Sequence, residues 1–170
     1  MNSEELKALQ APLKARYADS PTDAIVSLNA TGVVNINDLT CHVDSALSIA
    51  GQMVSGLHPS AGGDGSAACS GDMLLQSLVA CSGVTFAAVS TAMGMQISSA
   101  RVSAQGTMDF RGTLGVDRDV PIGLTSVELT FAVESSEPDD KIEKLIQLTE
   151  RYCVVLQTLQ QGVVVSCRRG

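Results

Sequence analysis

Hydrophobic positions along the chain follow two periods. Ile142, Leu145, Ile146, Thr149 and Cys153 recur at mostly three- and four-residue steps, while Lys141, Glu143, Lys144, Gln147 and Glu150 fall elsewhere. That pattern predicts an amphipathic helix with Pro138 in its first turn, Asp139 and Asp140 following, and Cys153 at its end on the inward face. Val102, Ala104, Met108 and Phe110 alternate with polar neighbours, as Val127, Leu129, Phe131 and Val133 do with Ser126, Glu128 and Thr130, which predicts two half-buried strands. Asp117-Arg118-Asp119 and Pro121 to Gly123 mark the turn region joining them. Val163-Val164-Val165, after Gly162, reads as a last short strand preceded by a short helical turn. Upstream the alternation is weaker, with a pair of strands over Ala24 to Val34 and Ile36 to Val43 around Gly32 and Asn35. A helix from about Ser3 to Tyr17 precedes them, and Pro12 is expected to bend it or end its first part.

The stretch from Met73 to Ala100 carries no charge and includes MLLQSLVACSGVTFAAVSTAMGM, about the length of a membrane span. Gln76, Ser77, Ser82, Gly83, Thr85, Ser90 and Thr91 interrupt it and no positive cluster flanks it, so a buried central helix over about Gly71 to Met93 is expected instead, with no membrane contact. Ser70 suits its N-cap, Asp72 favours the positive end of its dipole, and Gly94 suits a left-handed stop. His58 to Gly71 is rich in Gly, Ala and Ser and reads as a loop feeding this helix.

The order of elements is α+β rather than alternating βαβ. Residues 1–22 read as an N-terminal helical extension and 23–170 as a single domain. A helix apolar nearly all round needs more cover than one antiparallel sheet supplies, so a homodimer is expected. The 170 residues are 45% hydrophobic, enough for a real core, but only 3% aromatic, with no Trp. Eleven Lys and Arg against 18 Asp and Glu give a charge of −7, which repels a phosphate backbone, so nucleic acid is not an expected partner. The opening residues MNSEELKALQAPLKARY lack the basic start and apolar run of a signal peptide, and the expected compartment is cytoplasmic. Cys41, Cys69, Cys81, Cys153 and Cys167 are then expected to be reduced at rest.

Few reactive groups remain. HExxH, CxxC, GxSxG and P-loop patterns are absent, and the adjacent Cys41 and His42 would point to opposite faces of a strand, so no metal site is expected. Gly62-Gly63-Asp64-Gly65 offers backbone N–H groups but no GK[ST] follows, and it reads as a plain loop. Thiol chemistry is left, with Cys81 in the central helix and Cys153 at the end of the amphipathic one. On pattern alone both also fit the part of small, inert core residues. Cys69 reads as an exposed loop thiol, and His42 and His58 as ordinary strand-end and loop histidines.

GGDGSAACSGDMLLQSLVACSGVTF resembles the segment in which the osmotically inducible protein C (OsmC) family has a glycine-rich loop, a Pro-Glu-x-Leu-like helix start and an Ala-Cys. LTERYCVVLQTL resembles that family's Cys-Pro-Val-x-x-x-Leu segment, and GTLGVDRDVPIGLTSVELTF its strand pair, so the likeness covers roughly Thr40 to Gly170. The family includes the organic hydroperoxide resistance proteins. The resemblance implies an intertwined homodimer in which antiparallel sheets, each built from both chains, wrap around two central helices. It also implies a thiol-dependent peroxidase that reduces organic hydroperoxides, with Cys81 peroxidatic and Cys153 resolving through a disulfide. No bound cofactor is implied, and an external dithiol or lipoyl group would return the disulfide to the dithiol. Cys81 lies too far inside its own helix for that helix's dipole to act on it, so a cation is expected to activate it. The family's activating arginine and its glutamate partner have their nearest counterparts in Arg16 and Asp72, with Lys14 a weaker candidate. Ser70-Gly71 stand where an ungapped match puts Pro-Glu, Val154 stands where the family has proline, and no arginine occurs between Ala24 and Val43. These departures keep a second reading open, a binding or redox-sensing dimer of the same fold without turnover.

Overall fold

The computed structural model describes residues 1–27, 30–35, 40–43 and 53–169. The chain forms two compact units, one of Met1–Ala15, Ser77–Ala104 and Leu129–Gly170, the other of Arg16–Gln76 and Gln105–Glu128.

Helix α1 (Ser3–Asp19) runs through Pro12 rather than ending there, and a 3-10 turn follows at Pro21–Ala24. A four-stranded sheet lies in the second unit, in the order β1 (Gly32–Asn35), β2 (Thr40–Val43), β3 (Met53–Gly56), β4 (Ala68–Cys69). Of the first strand expected from the sequence, Ala24 instead ends the 3-10 turn that Pro21 opens, and among the described residues the strand begins at Gly32. Asn35, read as a turn residue, pairs with Thr40, and Ile36 to Leu39 of the second expected strand lie outside the described residues. β3 pairs antiparallel with β2 and parallel with β4, so Cys69, read as a loop residue, is a strand residue opposite Gly56. Two-residue pairings such as β4 leave no periodicity to read in sequence.

The loop before β4 is built rather than loose. The Gly62 and Gly63 N–H groups donate to the Pro59 and His58 carbonyls at 3.0 and 3.1 Å, which takes them away from any anion, and Asp64 accepts from the N–H and hydroxyl of Ser66. His58 stacks on Phe110 (4.8 Å between centroids) and its Nδ1 accepts from the Ser60 N–H at 3.0 Å.

Helix α2 (Ser70–Met93) has the expected span and stop. Gly94 adopts φ 67°, its N–H bonds to the Thr91 carbonyl, and the Met95 N–H reaches back to Ser90, a Schellman closure. A single chain covers only part of the helix. Only Leu78, Ser82, Phe86 and Ser90, one stripe at four-residue steps, are buried, and 22% of the most apolar 18-residue window is covered. Within its unit the helix meets Phe131 at Phe86 (5.7 Å) and the Cys153 segment at Ser82, contacts that cover one line of side chains and leave Val84 73% exposed.

β5 (Ile97–Met108) and β6 (Leu124–Ser135) form a two-stranded sheet. The Thr125 hydroxyl bonds to the Thr107 carbonyl and Ser135 to Gln96, so the strands run antiparallel. Val102, Ala104 and Met108, and Leu129, Phe131 and Val133, are the less exposed positions as expected; Val127, expected inward, is exposed, because the alternation breaks near the start of β6. Phe110 does not extend β5. Asp109 caps the short helix α3 (Phe110–Thr113), accepting from the Arg111 N–H at 2.9 Å.

Helix α4 (Asp139–Tyr152) begins one residue later than expected, with Pro138 as its N-cap, and it turns inward the five positions its periodicity marked. Cys153 then breaks the helix in an extended conformation (φ −73°, ψ 109°), and α5 (Val154–Gln161) starts immediately. Val163 to Val165 form no strand. They are 65–101% exposed.

Candidate active site

α2 and the α4–α5 junction bring Cys81 and Cys153 together within the first unit. The reason is local: the α4 stripe ends at Cys153, which is fully buried, and the break there redirects the chain so that α5 begins beside α2. Cys81 is partly exposed and Cys153 inaccessible, and both are free thiols. The Cys81 thiol is held below the ordinary cysteine range. Burial pushes it up, but hydrogen bonds from the Val155 N–H, the Cys153 thiol, the Val154 N–H and the Thr85 hydroxyl outweigh that. Val154 and Val155 are the first two residues of α5, whose N–H groups have no acceptor inside the helix, and Cys153 gives that end no side-chain cap. A thiolate at Cys81 thus meets the positive end of a neighbouring helix. Ser82, also fully buried, places its Oγ 3.2 Å from Cys153 Sγ.

The sequence-derived Arg16 and Asp72 belong to the second unit. Arg16 pairs with Asp23 at 3.8 Å and lies over the Tyr17 ring; no ion pair joins it to Asp72, which sits in the first turn of α2. Cys69 is half-buried and lines a cavity of about 380 Å³ in the second unit with Leu57, His58, Leu74, Phe110 and Leu124. Cys167 is exposed. Among the described residues no group of three or more His, Cys, Asp or Glu is placed to hold a metal.

Sequence reasoning missed Ser82, Thr85 and the α5 N–H groups. Thr85 follows Cys81 by four residues and Ser82 precedes Phe86 by four, so helical spacing puts one hydroxyl beside Cys81 and the other on the buried stripe; that signal was legible. The backbone donors had none, because the helix break at Cys153 leaves no mark in a periodic pattern that runs up to it.

The family of OsmC-like proteins matches residues 63–168, a segment that holds Cys81, Cys153 and the hairpin between them and begins later than the Thr40 of the sequence resemblance. No curated protein matches the chain in sequence. Among solved structures, an OsmC-like protein from Mycoplasma pneumoniae superposes with a TM-score of 0.66 at 19% identity, over 81% of this chain and 89% of that one. An organic hydroperoxide resistance protein from Elizabethkingia anophelis gives 0.64 at 14% identity (81% and 91%), and one from Bacillus subtilis 0.55 at 14% (81% and 93%). These likenesses carry the α+β fold, and with a family match over most of its length the chain belongs to the OsmC-like proteins.

Proposed function

We propose that the protein is a thiol-dependent peroxidase of organic hydroperoxides. The observation that carries this reading is the partly exposed Cys81 thiol, its acidity raised by hydrogen bonds, in contact with the buried thiol of Cys153. The Cys81 thiolate attacks the distal peroxide oxygen, the O–O bond breaks, and the alkoxide leaves as alcohol after taking a proton. Cys81 is then a sulfenic acid. Cys153 attacks its sulfur, water leaves, and the Cys81–Cys153 disulfide is returned to the dithiol by an external dithiol or lipoyl group. No bound cofactor takes part.

An apolar substrate suits the surroundings. Val84, one turn beyond Cys81, and Val154, beside Cys153, are 73% and 69% exposed, and an alkyl or fatty-acyl group covering them gains about 25 cal/mol per Å² of apolar area. The solved hydroperoxide resistance proteins of the same fold support the choice of reaction. The uncovered faces of α2 and the exposed valines 163 to 165 support a homodimer as the working form, with a second copy supplying the cover.

The test is stopped-flow consumption of cumene hydroperoxide and of hydrogen peroxide by the reduced protein and its Cys81→Ser and Cys153→Ser variants. The expected result is faster reaction with cumene hydroperoxide, lost in Cys81→Ser and halted after one turnover in Cys153→Ser. Slow oxidation indifferent to Cys81 would overturn the reading in favour of a binding or redox-sensing dimer.

A further inference from the structure

Four hydroxyl groups on the helices of the first unit bond back to their own helix, and Ser82 does not. Ser90 and Thr91 bond back to the Ala87 carbonyl at 3.0 and 2.7 Å, Thr149 to Leu145 at 2.8 Å, and Thr158 to Val154 at 2.8 Å. Back-bonding of this kind is the ordinary way for a helical hydroxyl to be satisfied inside its own element. Ser82 instead reaches out of α2 to Cys153 Sγ at 3.2 Å. Both residues are fully inaccessible, so water cannot take the place of either partner.

We infer that Ser82 is a positioning residue for the resolving step, aiming the Cys153 sulfur and stabilising the negative charge that develops on it as it attacks oxidised Cys81. The inference rests on the peroxidase reading for its physiological setting and on the Ser82–Cys153 geometry for its substance. In the resting dithiol either partner can donate the hydrogen. Once Cys153 gives up its proton only the hydroxyl carries one, so the bond persists with Ser82 as donor and strengthens as charge accumulates. The balance of the step is plain: Cys153 loses a proton, its sulfur forms the S–S bond, the S–O bond of the Cys81 sulfenic acid breaks, and the departing hydroxide takes a proton to leave as water. A fully buried sulfur has no solvent to supply that stabilisation, so a preorganised donor matters more here than it would at the surface.

Position along the helix makes the assignment specific. Ser82 follows Cys81 directly, and one turn on Thr85 directs its hydroxyl to Cys81. Each sulfur of the pair therefore has its own hydroxyl from α2. Removing the Ser82 oxygen leaves the hydroxyl of Thr85 and the α5 N–H groups on Cys81 in place, so the first chemical step is expected to keep its rate.

The experiment compares the wild type with Ser82→Ala and Ser82→Thr in single-turnover oxidation by cumene hydroperoxide, with Cys81 sulfenic acid trapped by dimedone and the disulfide followed by mass. Expected in Ser82→Ala is an unchanged first phase, disulfide formation slower by about tenfold, the rate equivalent of one hydrogen bond to a developing charge, and more Cys81 driven on to the sulfinic acid. Ser82→Thr, which keeps the hydroxyl, restores the rate. The same comparison is run with diamide, which adds to the Cys81 thiolate across its N=N bond; Cys153 then displaces the hydrazine to form the same disulfide. Failure to consume peroxide together with slower diamide-driven closure in Ser82→Ala would sink the peroxidase reading and leave Ser82 in its role. Closure at the wild-type rate in Ser82→Ala, with either oxidant, overturns the inference, as does equal slowing of both phases, which would mark a packing defect.

Discussion

Among single residues, the donors around the Cys81 sulfur set its acidity. Periodicity placed Cys81 in a helix and Cys153 at the inner end of another, and the structure brings them together; the need for an activating cation was inferred because the N-terminus of α2 is remote from Cys81. A second helix start was not legible, since Val154 and Val155 advertise nothing in sequence beyond apolar side chains, and their contribution is made by the backbone. Substituting Val154 tests this cleanly. Proline is well accepted at the first position of a helix, and the extended Cys153 before it already has the conformation that a following proline favours. Val154→Pro should therefore leave α5 intact while deleting one N–H donor. The donor favours the charged form, so its loss raises the Cys81 thiol's pKa; the alkylation profile moves to higher pH and the rate near neutral pH falls about threefold. An unchanged profile would remove α5 from the activation of Cys81.

At the scale of elements, α4 was legible in nearly every position because one face is buried and the other charged, whereas α2 was legible in its ends but not in its burial. An unbroken apolar composition says that a helix is to be covered without saying by what, and here Phe131 and the Cys153 segment cover a single stripe. Leu145, fully buried at the centre of the α4 stripe, should cost about 3 kcal/mol when replaced by alanine, read as a lower midpoint of denaturant unfolding. The glycine-rich segment before α2 reads in sequence as a plain loop, and its backbone is tied to the Pro59 and His58 carbonyls. A Cβ at Gly63 would collide with the Leu57 carbonyl, so Gly63→Ala should destabilise by about 1–3 kcal/mol, and a neutral result would show that the turn can rearrange. Short pairings such as Ser55 with Ala68 and Gly56 with Cys69 stayed illegible because two residues carry no period.

Over the whole molecule, apolar side chains are left bare among the described residues. Val164 is fully exposed and Val84 is 73% exposed, and both are expected to be covered by a second copy. Sedimentation should give a dimer for the wild type and a weakened one for Val164→Asp; a monomer, or a dimer indifferent to that charge, would contradict the expectation. Val163 to Val165 read as a strand in sequence because their chemistry is that of a strand, while pairing depends on a neighbour that a sequence does not specify. Whether Cys81 and Cys153 form one redox pair is decided by oxidising the reduced protein with one equivalent of cumene hydroperoxide and mapping disulfides by peptide mass. A single bridge from Cys81 to Cys153, absent in Cys81→Ser, is expected; a bridge through Cys41, Cys69 or Cys167, or Cys81 left as a thiol, would show that they do not.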